Sequence, residues 1–120
     1  MKRYRDLSSE QKARRIARAV RWAKDNPERF RINTSRARWR AAGVDPAEAE
    51  RALREHSGAC DCCGADKPGG RWSWNVDHDH ATGRVRGILC HNCNTALGKL
   101  GDTLEGVLRA VRYLQKEVLC

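Results

Sequence analysis

The run Asp77-His78-Asp79-His80 sets two carboxylates and two imidazoles in four consecutive positions. Side chains alternate in an extended segment, so Asp77 and Asp79 are expected on one side and His78 and His80 on the other. Carboxylate oxygens hold a hard divalent cation, and an imidazole that titrates near neutrality can take a proton from water. A lone Asp or His is more often structural. Four in a row, inside a frame of metal-type cysteines, point instead to hydrolytic chemistry. The competing reading is a second zinc site through His78 and His80, and the hard oxygens of Asp77 with Asn94 favour magnesium over it.

The frame itself is two C-x-x-C pairs, Cys60 with Cys63 and Cys90 with Cys93, separated by 26 residues. Two such knuckles present four thiolates tetrahedrally, which suits zinc at about 2.3 Å per sulfur, and four protein ligands leave no open position. This zinc is therefore expected to be structural. Cys62 and Cys120 stand outside the set. A redox reading would need one pair and a thioredoxin-like βαβ pattern, which is absent. The charged N-terminus has no apolar run behind it, so no export signal is read. No stretch is apolar enough to span a bilayer. A cytoplasmic setting is expected, and it makes metal ligation the better use of clustered cysteines than disulfides.

Short elements must position these groups. Trp72, Trp74 and Val76 alternate with polar residues, which predicts a strand ending at Asp77 and His78. A loop containing Gly83 follows, and Val85 to Leu89 is the returning strand. After Cys90 a helix is expected, broken by Gly98 and Gly101. Asp102 with Glu105 is read as the cap of a last helix whose stripe of Leu104, Val107, Leu108, Val111 and Leu114 packs into the core. Upstream, Ser8 and Gln11 form a capping box for a helix that stops near Asn26. Pro27 opens a second helix that Gly43 ends, and Asp45 with Pro46 opens a third running to about His56. Residues 1–43 are thus read as a basic helical arm and residues 44–120 as the body, an α+β domain.

Hydrophobic residues make up 40% of the 120-residue chain, enough for a small core that needs a staple. The formal charge is +9, and residues 1–54 hold sixteen Lys or Arg against seven Asp or Glu, while residues 55–120 hold eight of each. A one-sided basic segment rich in arginine is the footprint of a nucleic-acid partner, with Arg36, Arg38 and Arg40 among the residues expected on phosphate. The alternative is a solvated helix surface. The first two helices carry few large apolar side chains, so they are expected to gain stability by docking to the body, to DNA, or to a second subunit in a homodimer.

The run Val76-Asp77-His78-Asp79-His80, then Thr82-Gly83-Arg84-Val85-Arg86-Gly87-Ile88-Leu89-Cys90, then Cys93-Asn94 and Leu97-Gly98, resembles the recombination endonuclease VII family of His-Me finger (ββα-metal) nucleases, relatives of the HNH enzymes. The resemblance covers about residues 44–115. It implies a ββα-metal core stapled by zinc on Cys60, Cys63, Cys90 and Cys93. It implies that Asp77 and Asn94 coordinate one catalytic Mg²⁺ or Mn²⁺, that His78 is the general base, that His80 lies near the active site, and that Arg84 and Arg86 touch phosphate. The expected activity is Mg-dependent hydrolysis of phosphodiester bonds in duplex or branched DNA. Junction-resolving members of the family carry a further region after the nuclease core, and here Cys120 follows soon after the last helix. That departure weakens the expectation of four-way-junction resolution and leaves open a nicking enzyme of a phage or mobile element. The alternative class is a non-catalytic zinc-ribbon module that binds nucleic acid.

Overall fold

The computed structural model describes residues 1–69 and 73–116, so Trp72 and Cys120 lie outside the described residues. The chain divides into two compact units, Met1–Arg38 and the part from Trp39 onward, with the division inside the second helix.

The first unit holds α1 (Ser9–Asp25) and most of α2 (Pro27–Ala41). The expected capping box is present: Ser8 Oγ accepts from the Gln11 N–H and Gln11 Oε1 accepts from the Ser8 N–H. Local pairs add to it, Arg14 with Glu10 at 2.6 Å and Arg31 with Glu28 at 2.9 Å. No residue of Met1–Arg38 is buried. Such helices are held by caps and neighbouring side-chain pairs, each worth only about 0.2–1 kcal/mol.

The second unit begins at Trp39, in the last turn of α2. The chain reverses at Gly43, whose φ of +80° is open to glycine at little cost. Asp45 then caps α3 (Pro46–Glu55) by accepting from the Ala47 N–H. The strands β1 (Asn75–His78) and β2 (Val85–Leu89) pair antiparallel, and α4 (His91–Lys99) and α5 (Leu104–Leu114) follow. The α3 and α4 helices both pack on the two strands. The buried apolar residues are few: Val44, Ala49, Cys60, Ile88, Leu89 and Cys90, with Trp74, Cys93 and Leu97 packed against the Cys60–Leu89–Cys90 cluster. Two of the six are metal-type cysteines, so the core and the cysteine cluster are one structure.

Four local expectations are corrected. Trp74 precedes β1 and is not part of it, and Gly98 lies inside α4, whose end comes at Lys99 before the reversal at Gly101 (φ +93°). The cap of α5 is Thr103, whose Oγ1 accepts from the Gly106 N–H, because Asp102 spends its carboxylate elsewhere. The α5 stripe is not core either. Leu104 and Leu114 are 76% and 79% exposed, Leu108 and Val111 are exposed as well, and of the five only Val107 is partly covered. The inward contact runs through Gly106, where a Cβ would meet the Leu100 carbonyl oxygen at 1.8 Å. Close backbone approach at a glycine, and not the apolar stripe, sets how this helix sits.

Candidate active site and metal centre

Sequence-local turns build the cysteine cluster. Cys90 caps α4, its Sγ accepting from the Cys93 N–H at 3.4 Å, and the Cys90 N–H in turn points at Cys60 Sγ at 3.3 Å. Burial pushes the Cys60 thiol up, but backbone N–H groups of Cys63, Cys90 and Cys62 outweigh it and bring the thiol down to about 6. Cys93, beside three other sulfurs, is pushed the other way by burial and by those neighbours. The Sγ atoms of Cys60, Cys63, Cys90 and Cys93 all lie within 4.8 Å of one another, and Cys63 and Cys90 are 3.8 Å apart. Sulfurs tetrahedral about a zinc at about 2.3 Å stand about 3.8 Å apart, so the donor set fits a structural zinc. Cys62 is exposed and outside the set.

A residue overlooked in the sequence fastens this cluster to the sheet. The Asp61 N–H donates to the Ile88 carbonyl at 3.0 Å, and the Ile88 N–H donates to Asp61 Oδ2 at 2.7 Å. The first knuckle thereby extends the open edge of β2. A Cβ on Gly87 would come within 2.7 Å of that same Asp61 oxygen. A glycine inside a strand signals close approach, and Gly87 was the available clue.

The turn end of the hairpin carries the acid–histidine run. Asp79 has left the strand: its Oδ1 accepts from the Ala81 and Thr82 N–H groups at 2.7 and 3.0 Å, and its carbonyl accepts from the Gly83 N–H. The Thr82 and Ala81 amides hold its carboxyl below the ordinary aspartate value. Gly83 is doubly constrained, with φ +75° and a Cβ position only 2.1 Å from the Gly43 carbonyl oxygen. Asp79 thus binds its own turn, while the Arg86 that holds Asp77 also acts on it through space. His78 and His80 do meet, their rings 4.8 Å apart.

Asp77 is buried, and both of its oxygens are engaged by Arg86, Nε to Oδ2 at 2.8 Å and Nη2 to Oδ1 at 3.0 Å. Strand register explains the encounter. Asp77 pairs with Gly87 but His78 pairs with Val85, so Arg86 is the extra residue of a bulge. A regular ladder would set Arg86 opposite His78 and away from Asp77; the bulge turns it to the Asp77 side. Asp102 completes the group, with Oδ1 2.7 Å from Arg86 Nη2 and Oδ2 3.3 Å from His80 Nε2. Pairing with Asp77 first, and then with Asp102, raises the Arg86 guanidinium further above its already high value. The only sequence clue to Asp102 was that the adjacent Thr103 could cap α5 equally well.

The remaining expected site residues are placed as follows. Asn94 is half-buried in the first turn of α4, its N–H donating to the Cys90 carbonyl. Arg84, Arg38 and Arg40 are exposed, whereas Arg36 is half-buried and has an interaction partner.

With this geometry in place, comparison with known proteins decides the family. The family model for recombination endonuclease VII matches residues 35–116. The chain belongs to that family. The match takes in all four cysteines, the acid–histidine strand end, Asn94 and α5. Two phage proteins, each named "Gene 59 protein", are similar over shorter stretches. That of Mycobacterium phage D29 is 51% identical over 49 residues, 40% of this chain and 30% of the phage protein. That of Mycobacterium phage L5 is 54% identical over 41 residues, 33% of this chain and 25% of the phage protein. The chain thus matches less than a third of the length of these relatives. No solved structure matches it. Among the described residues, no helix is long and apolar enough to cross a membrane.

Proposed function

We propose that this chain is a metal-dependent endonuclease that hydrolyses phosphodiester bonds in DNA, phage-encoded and acting in the host cytoplasm. The family match across the strand end and the Asn94 helix carries this reading. The succession β1, β2, α4 is taken as a ββα-metal core, with the cysteine cluster as its zinc scaffold.

In this reading His78 is the general base. Its imidazole accepts a proton from the attacking water, whose oxygen then bonds to phosphorus as the bridging ester oxygen leaves. Asp77 and Asn94 hold one Mg²⁺ or Mn²⁺ through oxygen donors, which suit such hard ions. When bound, the ion supplies positive charge to the phosphate and the leaving oxygen. Arg84 and the arm residues Arg36, Arg38 and Arg40 neutralise backbone phosphates, so affinity is expected to fall steeply with salt. The basic arm, residues 1–43, has no buried residue and gains stability on DNA or by pairing with a second copy.

The test is cleavage of plasmid, branched and mismatched DNA by the zinc-loaded full chain with Mg²⁺ or Mn²⁺. His78→Ala should keep DNA binding and lose about a hundredfold or more in cleavage rate. Equal cutting by His78→Ala overturns the mechanism. A zinc-bearing binding module is the second reading, and the closure of both Asp77 oxygens by Arg86 is the observation on its side. Salt-sensitive binding with no cleavage under any divalent ion would establish it.

A further inference from the structure

Asp77 as a cation ligand has a difficulty: its two oxygens already face a guanidinium. An Asp–Arg pair is neutral, and a neutral pair offers a divalent cation little. Asp102 changes that balance. It shares Arg86 Nη2 with Asp77 and makes the shorter contact, 2.7 Å against 3.0 Å. Two carboxylates share one guanidinium, so the Asp77–Arg86–Asp102 group holds more negative than positive side chains, which is what an entering cation would compensate.

The placement of Asp102 is specific. Its backbone sits at φ +56°, the sole non-glycine with positive φ among the described residues, and its N–H donates to the Leu97 carbonyl at 2.8 Å. The reversal that ends α4 therefore turns Asp102 back towards Arg86. The Asp102 side chain is only 14% exposed, and its second oxygen faces His80 Nε2 at 3.3 Å. On β2, the bulge turns Arg86 to the same place. The β2 bulge and the positive-φ backbone of Asp102 thus meet in this one contact.

We propose that Asp102 is a positioning residue of the nuclease centre: it receives Arg86 when a divalent cation takes Asp77, and it holds the His80 ring meanwhile. This rests on the endonuclease reading above. Arg86 is then the internal counterion of Asp77 in the metal-free protein, and Asp102 provides the place to which it withdraws.

The experiment is Mn²⁺ binding to the zinc-loaded full chain, followed by calorimetry and by the Mn²⁺ electron-spin signal, with zinc content and circular dichroism as checks of folding. Asp102→Asn keeps the shape and tolerates positive φ, so the backbone should hold. It should weaken Mn²⁺ binding roughly three- to tenfold, the range for a partly buried charged contact. Arg86→Gln should tighten binding by a similar factor. In the Arg86→Gln background, adding Asp102→Asn should weaken binding by a clearly smaller factor than it does in the wild type, because the residue acts chiefly through Arg86 and only in part through its own charge. Wild-type affinity in Asp102→Asn overturns the proposal, and so does an undiminished Asp102→Asn effect in the Arg86→Gln background. If Asp102→Asn fails to fold, Arg86→Gln decides alone: unchanged or weaker binding overturns the hand-over. Asp77→Asn separates the two levels. If it binds Mn²⁺ as wild type does, the metal-site reading falls and the hand-over with it. If it loses the ion while Asp102→Asn keeps wild-type affinity, only the hand-over falls.

Discussion

At the Leu89 end of the hairpin, four sulfurs stand within 4.8 Å of one another, two of them, on Cys60 and Cys90, accepting backbone N–H groups. At the turn end, the carboxylate of Asp77 is just as firmly held, but by a guanidinium that balances its charge. The same two strands thus carry one donor set arranged for a metal and one arranged around an internal counterion. The difference follows from what each end must do. A scaffold site contributes to folding and needs nothing to move. At the turn end the buried Asp77 carboxylate is compensated by Arg86, because a buried unpaired charge is costly; in the proposed function a cation would take over that compensation.

The largest expected effect lies at the sulfur end. Cys60→Ser should abolish stoichiometric zinc and unfold the second unit, a loss on the order of the whole stability of a small domain, about 5–15 kcal/mol. Zinc quantification and thermal unfolding check it, with Cys62→Ser as the control that should stay within about 0.5 kcal/mol of wild type. If Cys62→Ser also loses the metal, the choice of ligands is wrong.

Gly83→Ala tests whether the turn end is built as rigidly. It introduces a Cβ 2.1 Å from the Gly43 carbonyl oxygen at a φ of +75°. The expected cost is about 2–4 kcal/mol in urea unfolding, through strain and overpacking. A near-neutral result would mean that the loop 81–84 is free to shift, and the contrast between the two ends would sharpen into rigid against adaptable.

The smallest effect concerns Asp79. Its carboxyl is held below the ordinary aspartate value by the Thr82 and Ala81 amides. A lowered folded-state value means that its contribution is fully present above the unfolded value and is lost as pH falls through the folded one. Carbon-detected NMR should find its titration midpoint below the ordinary aspartate value of about 3.9. A normal midpoint would remove the turn hydrogen bonds from the account of how Asp79 is diverted from Asp77.

Local chemistry determined much of this protein. The Ser8–Gln11 box, the Asp45 cap, the extent of β2 and the pairing of the four cysteines all follow from contacts within a few residues, where spacing alone carries the geometry. The acid–histidine strand end was legible for the same reason, as a run of residue types. Tertiary structure decided which of those residues act together. Asp79 went to its own turn, Asp61 to the edge of β2, and Asp102 to Arg86 in place of the α5 cap. The stripe on α5 looked like core by its period, yet the helix approaches through Gly106 and leaves that stripe exposed. A one-residue bulge moved Arg86 across the sheet to Asp77. Periodicity assigns faces to an isolated element, but it cannot count the residue that a bulge inserts or choose which of two acceptors a guanidinium will take. Those are settled by charge balance and close packing between segments far apart in the chain.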